Sequence, residues 1–179
     1  MRILLVSEGP SELNGALQAL VKRLTAREIE IDTDRVSRRD VHAHHGKGRG
    51  YFKRAVRWML EARKRGYDAL IMVIDQDGRS ERTREIDDAQ RYAGPSVSRA
   101  LGLAIRTFDA WILADEKALT NVLGVCVSRQ PGPEGILDPK NVCRELLIES
   151  ECTLRQTEMY AAVAEIADIA IMERRCPNG

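Results

Sequence analysis

Residues 69–74, ALIMVI, restrict the possible folds more than any other part of this sequence. An unbroken apolar run of this kind is typical of a strand that is buried on both faces, as in a parallel sheet. Residues 3–6, ILLV, form a second run of the same character. The first run leads into DQDG at 75–78 and the second into SEG at 7–9, so an acidic turn follows each predicted strand.

Helical patterns alternate with the predicted strands. Apolar residues at helical spacing predict a helix that begins after Ser11, its N-cap, and ends near Arg27, and a second helix over 51–65 that Gly66 ends. Residues 29–31 and 101–107 are further predicted strands, and residues 32–50 a long loop. Helices are also predicted over 80–92, 110–122, 139–149 and 157–172.

This alternation predicts a single α/β domain over residues 1–179. We expect a mostly parallel, Rossmann-like sheet with flanking helices on both faces. The segment from about residue 137 onward is expected to be a helical extension, because its patterns are helical throughout.

Composition excludes several classes of protein. No stretch approaches the roughly 18 apolar residues of a membrane span, and the N-terminal apolar run is too short for a signal peptide, so we expect a cytoplasmic protein without a membrane partner. The formal net charge is +1, so binding of nucleic acid would have to come from local basic patches. None of the 4 cysteines lies in a CxxC pair, which argues against zinc and for free thiols.

Three carboxylates follow the two strongest strands. Glu8 comes directly after the first run, and Asp75 and Asp77 come after the second. Ligands of open α/β sheets bind at the carboxyl ends of the strands, and alternate residues of an extended segment project to the same side. Carboxylate oxygens suit Mg²⁺ or Mn²⁺, so the pattern predicts a catalytic metal site at Glu8, Asp75 and Asp77. The alternative is that all three are ordinary turn residues.

This pattern resembles the Toprim family, which has a glutamate at the end of its first strand and a DxD motif at the end of a later strand. Toprim domains occur in topoisomerases, bacterial primases, overcoming-lysogenization-defect nucleases and a maturation ribonuclease. The resemblance implies a Toprim-like fold, with Glu8 as a metal ligand or general acid/base and with Asp75 and Asp77 as Mg²⁺ ligands.

The chain is more closely similar to a family of small Toprim-like bacterial proteins, often encoded beside ATPases in phage-defence loci. The matching pieces, which span almost the whole chain in order, are MRILLVSEGPSE at 1–12, GKG at 46–48, VIDQDGR at 73–79, IRTFDAWILAD at 105–115, DPK at 138–140 and RCP at 175–177. The resemblance implies an ATPase partner and a role in defence. That family commonly has glutamate where this chain has Asp109.

Several other polar residues have two interpretations. Asp109 follows a predicted strand and is either a further metal ligand or the N-cap of the next helix, whereas Asp115 is expected on a solvated face. A basic segment beside three histidines, together with one arginine beside the DxD motif, suits contact with a phosphate backbone or is simply solvated. The residues concerned are Lys47, Arg49, Lys53 and Arg79, with His42, His44 and His45. The alternating charges of residues 81–91 predict a solvated helix with intrahelical ion pairs.

Three functions remain open on the sequence alone. The first is a Mg²⁺-dependent nuclease that cleaves phosphodiesters of DNA or RNA. The second is a haloacid-dehalogenase-type phosphatase, in which Asp75 would be the nucleophile and Asp77 an acid/base; Glu8 would then have no role. The third is a Toprim-like assembly subunit without catalysis.

Overall fold

A computed structural model describes residues 1–25, 27–39, 41, 50–94 and 97–178. Its centre is a four-stranded sheet of β1 (Arg2–Ser7), β2 (Glu30–Arg35), β3 (Ala69–Asp75) and β4 (Ser98–Ala104). The strands are all parallel and lie in the order β2-β1-β3-β4. The predicted α/β fold with a parallel sheet is therefore confirmed.

The two apolar runs form the two central strands. Leu4 and Leu5 of β1 and Met72 and Val73 of β3 are buried, one of each pair on either face of the sheet, as the unbroken apolar sequence of both strands predicts. β1 and β3 pair directly, with Ser7 opposite Val73 in the register. The ends of these strands therefore lie side by side.

The boundaries of the outer strands differ from the prediction. β2 continues to Arg35, so the loop predicted from residue 32 is wrong in its first part. Of its alternate acidic residues, Glu30 and Asp32 are exposed and Asp34 is paired with Arg38 and Arg65, so this edge strand resembles a loop in sequence. β4 spans Ser98–Ala104 rather than residues 101–107.

The outer side of β4 is bonded to a side chain. The amide of Gln90 donates from Nε2 to the Arg99 carbonyl at 3.3 Å and accepts at Oε1 from the Leu101 N–H at 2.9 Å. The side chain of Gln90 thus takes the two hydrogen-bonding positions that a fifth strand would use.

The helices of the described residues surround the sheet. A kinked segment, Glu12–Ala16, in which Asn14 and Gly15 have non-helical backbone angles, leads into α1 (Leu17–Leu24). The following helices are α2 (Tyr51–Lys64), α3 (Ser80–Arg91), α4 (Asp109–Ile112), α5 (Glu116–Leu123), α6 (Pro139–Glu149), α7 (Gln156–Ile166) and α8 (Ile169–Arg175). Gly66 follows α2 with a φ of 72°, as its predicted role at the helix end requires. Within this described part, no helix is both long and apolar enough to cross a membrane.

Two helices predicted as continuous are broken. α4 and α5 replace the helix expected over 110–122, and α7 and α8 replace the helix expected over 157–172. Asp115 joins both breaks: its carboxylate accepts from the N–H groups of Lys117, Ala118 and Asp168. Asp115 is only 4% exposed, so its expected place on a solvated face is wrong. The reason is that the uncapped start of a helix needs an acceptor.

The two faces of the sheet carry separate apolar clusters. On one face Trp58, Met59 and Ile86 of α2 and α3 pack with the even-numbered residues of β1 and β3. On the other face α1 and the helices of the C-terminal third pack with the odd-numbered residues. This arrangement covers both faces of β1 and leaves the carboxyl ends of the strands accessible between the helices.

Candidate functional site

The three predicted carboxylates lie together at the carboxyl edge of the sheet. Glu8 follows β1, Asp75 is the last residue of β3, and Asp77 lies in the next turn. The Oε2 atom of Glu8 accepts a hydrogen bond from the Asp75 N–H at 3.1 Å, which ties the two strand ends together. The sequence-based expectation that these residues converge agrees with this geometry.

The environment of Asp75 disfavours its charged form. Burial raises the pKa of Asp75 to about 7, and the neighbouring charges of Glu12, Glu8 and Asp77 act in the same direction. The Phe108 N–H, which donates to Oδ1 at 2.8 Å, partly opposes this shift. A cation placed among these carboxylates would relieve the repulsion, so the edge has the electrostatics of a cation site.

Asp77 is held in a strained turn. Its φ is 52° and that of Arg106, after β4, is 63°, both in the left-handed region that non-glycine residues rarely adopt. The Asp77 N–H donates to the Arg106 carbonyl at 3.0 Å, which links the turns after β3 and β4. Such backbone strain is concentrated at functional sites in proteins.

Glu12 is a member of the cluster that the sequence did not single out. It is the first residue of the kinked segment Glu12–Ala16 and is 6% exposed, and its Oε2 accepts the Gly9 N–H at 2.8 Å. Burial raises the pKa of Glu12, and the charges of Asp109 and Glu8 add to the effect. The expected capping role of Ser11 is wrong, because Ser11 makes no side-chain cap bond. The signal for Glu12 was its spacing of four residues from Glu8 in SEGPSE.

Asp109 lies near Glu12, and a hydrogen bond from α7 holds its side chain. It is 6% exposed, and the hydroxyl of Tyr160 donates to its Oδ1. Burial raises the pKa of Tyr160, so this hydroxyl stays protonated as a donor. Asp109 is the first residue of α4 and not its N-cap, so the capping interpretation is wrong. Its role as a metal ligand stays a prediction.

Two further side chains, from α2 and α3, bind Glu8. The Tyr51 hydroxyl donates to Oε1 of Glu8, and burial together with this hydrogen bond raises the pKa of Tyr51 to about 12. Arg82 reaches Oε2 of Glu8 at 3.4 Å and Oδ2 of Asp77 at 2.8 Å. Both oxygens of Glu8 are therefore held in place.

The burial of Arg82 contradicts the expected solvated helix. Arg84 and Arg91 do form exposed intrahelical ion pairs, but Arg82 is 7% exposed. The carboxylates compensate its charge, which is what burial of an arginine requires. A sequence signal was present, because Arg82, Ile86 and Ala89 are spaced as one buried face of a helix.

The structure describes two of the four residues that the sequence predicts to contact nucleic acid. Lys53 and Arg79 are exposed, and each lies two residues from a member of the cluster, Tyr51 and Asp77 respectively. Lys47 and Arg49, with the three histidines, lie outside the described residues.

The oxygen donors fit Mg²⁺ in kind. Glu8, Asp75 and Asp77 supply carboxylates, the hard ligands that this ion prefers. In their present orientations, however, no group of three or more histidine, cysteine, aspartate or glutamate side chains in the described ranges is arranged to hold a metal ion. The guanidinium of Arg82 lies between Glu8 and Asp77 instead.

No protein-family model, curated protein or solved structure matches this chain. The assignment of a function therefore depends on the carboxyl edge of the sheet and on the resemblance in sequence. The features that carry it are the converging carboxylates, the raised pKa of Asp75 and the strained turn at Asp77.

Proposed function

We propose that this protein is a Toprim-like, Mg²⁺-dependent phosphoryl-transfer enzyme that hydrolyses phosphodiesters of nucleic acid. The observation that carries the proposal is the convergence of Glu8, Asp75 and Asp77 at the ends of two adjacent parallel strands. The raised pKa of Asp75 supports it. A buried carboxylate among like charges destabilises the fold unless a cation binds there, so such a residue is more readily explained as a cation ligand.

In this proposal the carboxylates hold Mg²⁺ or Mn²⁺, with Asp109 as a further candidate ligand. When bound, the metal would polarise the phosphodiester and neutralise the charge that develops on its oxygens. Glu8 is oriented by the Tyr51 hydroxyl and the Asp75 N–H, so its carboxylate is fixed before substrate arrives. A carboxylate fixed in this way would hold the metal ion where the ion can neutralise the charge on the phosphoryl oxygens.

The position of Glu8 favours a nuclease over the phosphatase alternative. A haloacid-dehalogenase-type reaction would use the two aspartates and give Glu8 no role, yet Glu8 bonds directly to the backbone of Asp75. Asp75 also has Oδ1 engaged by the Phe108 N–H, which orients the carboxylate but does not activate it as a nucleophile.

Nucleic acid is the proposed substrate because an exposed cation directly follows the acidic turn. Arg79 lies directly after the DxD turn and Lys53 lies in the first turn of α2. The position of Arg79 next to an acidic cluster is suited to hold a polyanion against a metal site, and Lys53 stays a candidate contact on the sequence alone. An ATPase partner and a role in phage defence are proposed on the resemblance in sequence alone.

The test is cleavage of labelled DNA and RNA, single- and double-stranded, by purified protein with Mg²⁺, Mn²⁺ or EDTA. Glu8→Gln and Asp75→Asn keep the hydrogen-bonding shape of each side chain and remove its charge. Asp87→Asn is the matched control, because Asp87 is an exposed carboxylate of α3.

We expect metal-dependent cleavage by the wild type and the control, and a loss of at least about 100-fold in the two site variants. Cleavage that persists in both site variants would refute the proposed site. Absence of cleavage of every substrate, with the protein folded and metal bound, would favour the assembly subunit.

A further inference from the structure

Within the described residues, the side chain of Arg82 contacts each of the three acidic residues Glu8, Asp75 and Asp77. Its Nη1 atom lies 3.4 Å from Oε2 of Glu8 and 2.8 Å from Oδ2 of Asp77, and it also donates to the backbone carbonyl of Asp75. One guanidinium nitrogen therefore connects the end of β1, the end of β3 and the DxD turn.

The hydrogen bonding of Arg82 is incomplete despite its burial. Its side chain is 8% exposed and its guanidinium lies 4.6 Å from the centre of the Tyr51 ring. The Nε donor is buried and has no hydrogen-bond partner among the described residues. A buried donor without an acceptor is unfavourable, so the attraction of the carboxylates holds the guanidinium there and not a complete set of hydrogen bonds.

We propose that Arg82 and a divalent cation exchange at this site. Without metal, Arg82 neutralises and holds together Glu8 and Asp77; when metal binds, the guanidinium leaves these oxygens. The inference rests on the proposed function, since it takes the carboxylates to be the metal ligands. The physical reason is that a guanidinium and a metal ion cannot contact the same carboxylate oxygen without strong repulsion.

Arg82 is thus a positioning residue that competes with the metal. The experiment measures Mn²⁺ binding by titration calorimetry with the metal alone, for the wild type, Arg82→Met and the control Arg84→Met. Arg84 is on the same helix, and its side chain is 88% exposed with one distant partner, Asp88 at 3.9 Å. Removal of the competing charge of Arg82 is expected to tighten Mn²⁺ binding about tenfold, the effect being reduced by solvent at half-exposed Asp77. Arg84→Met is expected to bind like the wild type.

Equal or weaker Mn²⁺ binding by Arg82→Met would overturn the exchange and leave the proposed function standing. Absence of Mn²⁺ binding in all three proteins would overturn both. If Arg82→Met does not fold, the exchange is tested in the wild type instead, by nuclear magnetic resonance of the Arg82 Nε–H group. Its signal is expected to shift on addition of Mg²⁺ but not of NaCl at equal ionic strength, and an unchanged signal would overturn the exchange.

Discussion

Replacement of Asp75 by asparagine is expected to change how the stability of the protein depends on pH. Burial raises the pKa of Asp75 to about 7 in the folded protein, against an ordinary value of 3.8 in the unfolded chain. Between these values the folded protein binds a proton that the unfolded chain does not. The free energy of unfolding therefore falls as the pH rises through this window.

The magnitude follows from the two pKa values. Between pH 5 and pH 8 the wild type is expected to lose about 2.5 kcal/mol of unfolding free energy through Asp75, since one pKa unit corresponds to about 1.4 kcal/mol. Asp75→Asn cannot ionise and keeps an acceptor for the Phe108 N–H, so it lacks this loss. Glu12, whose pKa is also raised, contributes in the same direction in both proteins.

The assay is urea unfolding at pH 5 and pH 8 in EDTA, followed by tryptophan fluorescence, with Asp87→Asn as the control. The relevant quantity is the difference between the two pH values, compared among the three proteins, so any uniform effect of a substitution cancels. If the wild type and Asp75→Asn lose the same free energy to within about 0.5 kcal/mol, Asp75 does not titrate in this range and the electrostatic account of the site is wrong.

Three further predictions concern the same edge and the C-terminal helices. Mg²⁺ at pH 8 is expected to raise the melting temperature of the wild type but not of Asp75→Asn, and equal shifts in calorimetry would contradict this. Gly9→Ala places a Cβ 2.7 Å from Oε2 of Glu12, whose carboxylate must then move and weaken its hydrogen bond from the Gly9 N–H, so a loss of about 1 kcal/mol is expected in urea unfolding. Gly135→Ala, which meets nothing within 4 Å, should be near neutral. Asp115→Ala leaves three N–H groups without their acceptor and is expected to cost about 2–4 kcal/mol, against less than about 0.5 kcal/mol for exposed Asp87→Ala.

The sheet and its acidic edge were predictable because both follow from local sequence. A strand buried on both faces must be apolar throughout, as residues 3–6 and 69–74 are, and a polar residue directly after it must lie at the edge of the sheet. Glu8, Asp75 and Asp77 could therefore be placed before the structure was known. β2 was only half predicted, since its exposed side carries charges.

What the sequence did not predict depends on partners that are distant along the chain. Arg82 is buried because Glu8, 74 residues away, is there to neutralise it. Asp115 is buried because it caps α5 and also accepts a hydrogen bond from the N–H of Asp168, 53 residues later. Glu12 lies in a kinked segment in which Asn14 and Gly15 are non-helical, and no apolar period reveals such a kink. In each case the residue type alone indicated solvent, and the tertiary structure provided the compensating group.

The hydrogen bonds from the Gln90 side chain of α3 to β4 also bear on how the protein avoids aggregation through its sheet edges. An open strand edge is a template on which a second chain can polymerise, and most proteins guard it with charges or bulges. Here one uncharged side chain imitates a strand at two consecutive bonding positions. The opposite edge strand, β2, carries exposed charges instead, on Glu30 and Asp32. Gln90 therefore blocks the addition of a further strand to β4. A variant without this side chain would leave the Arg99 carbonyl and the Leu101 N–H free to pair with another chain.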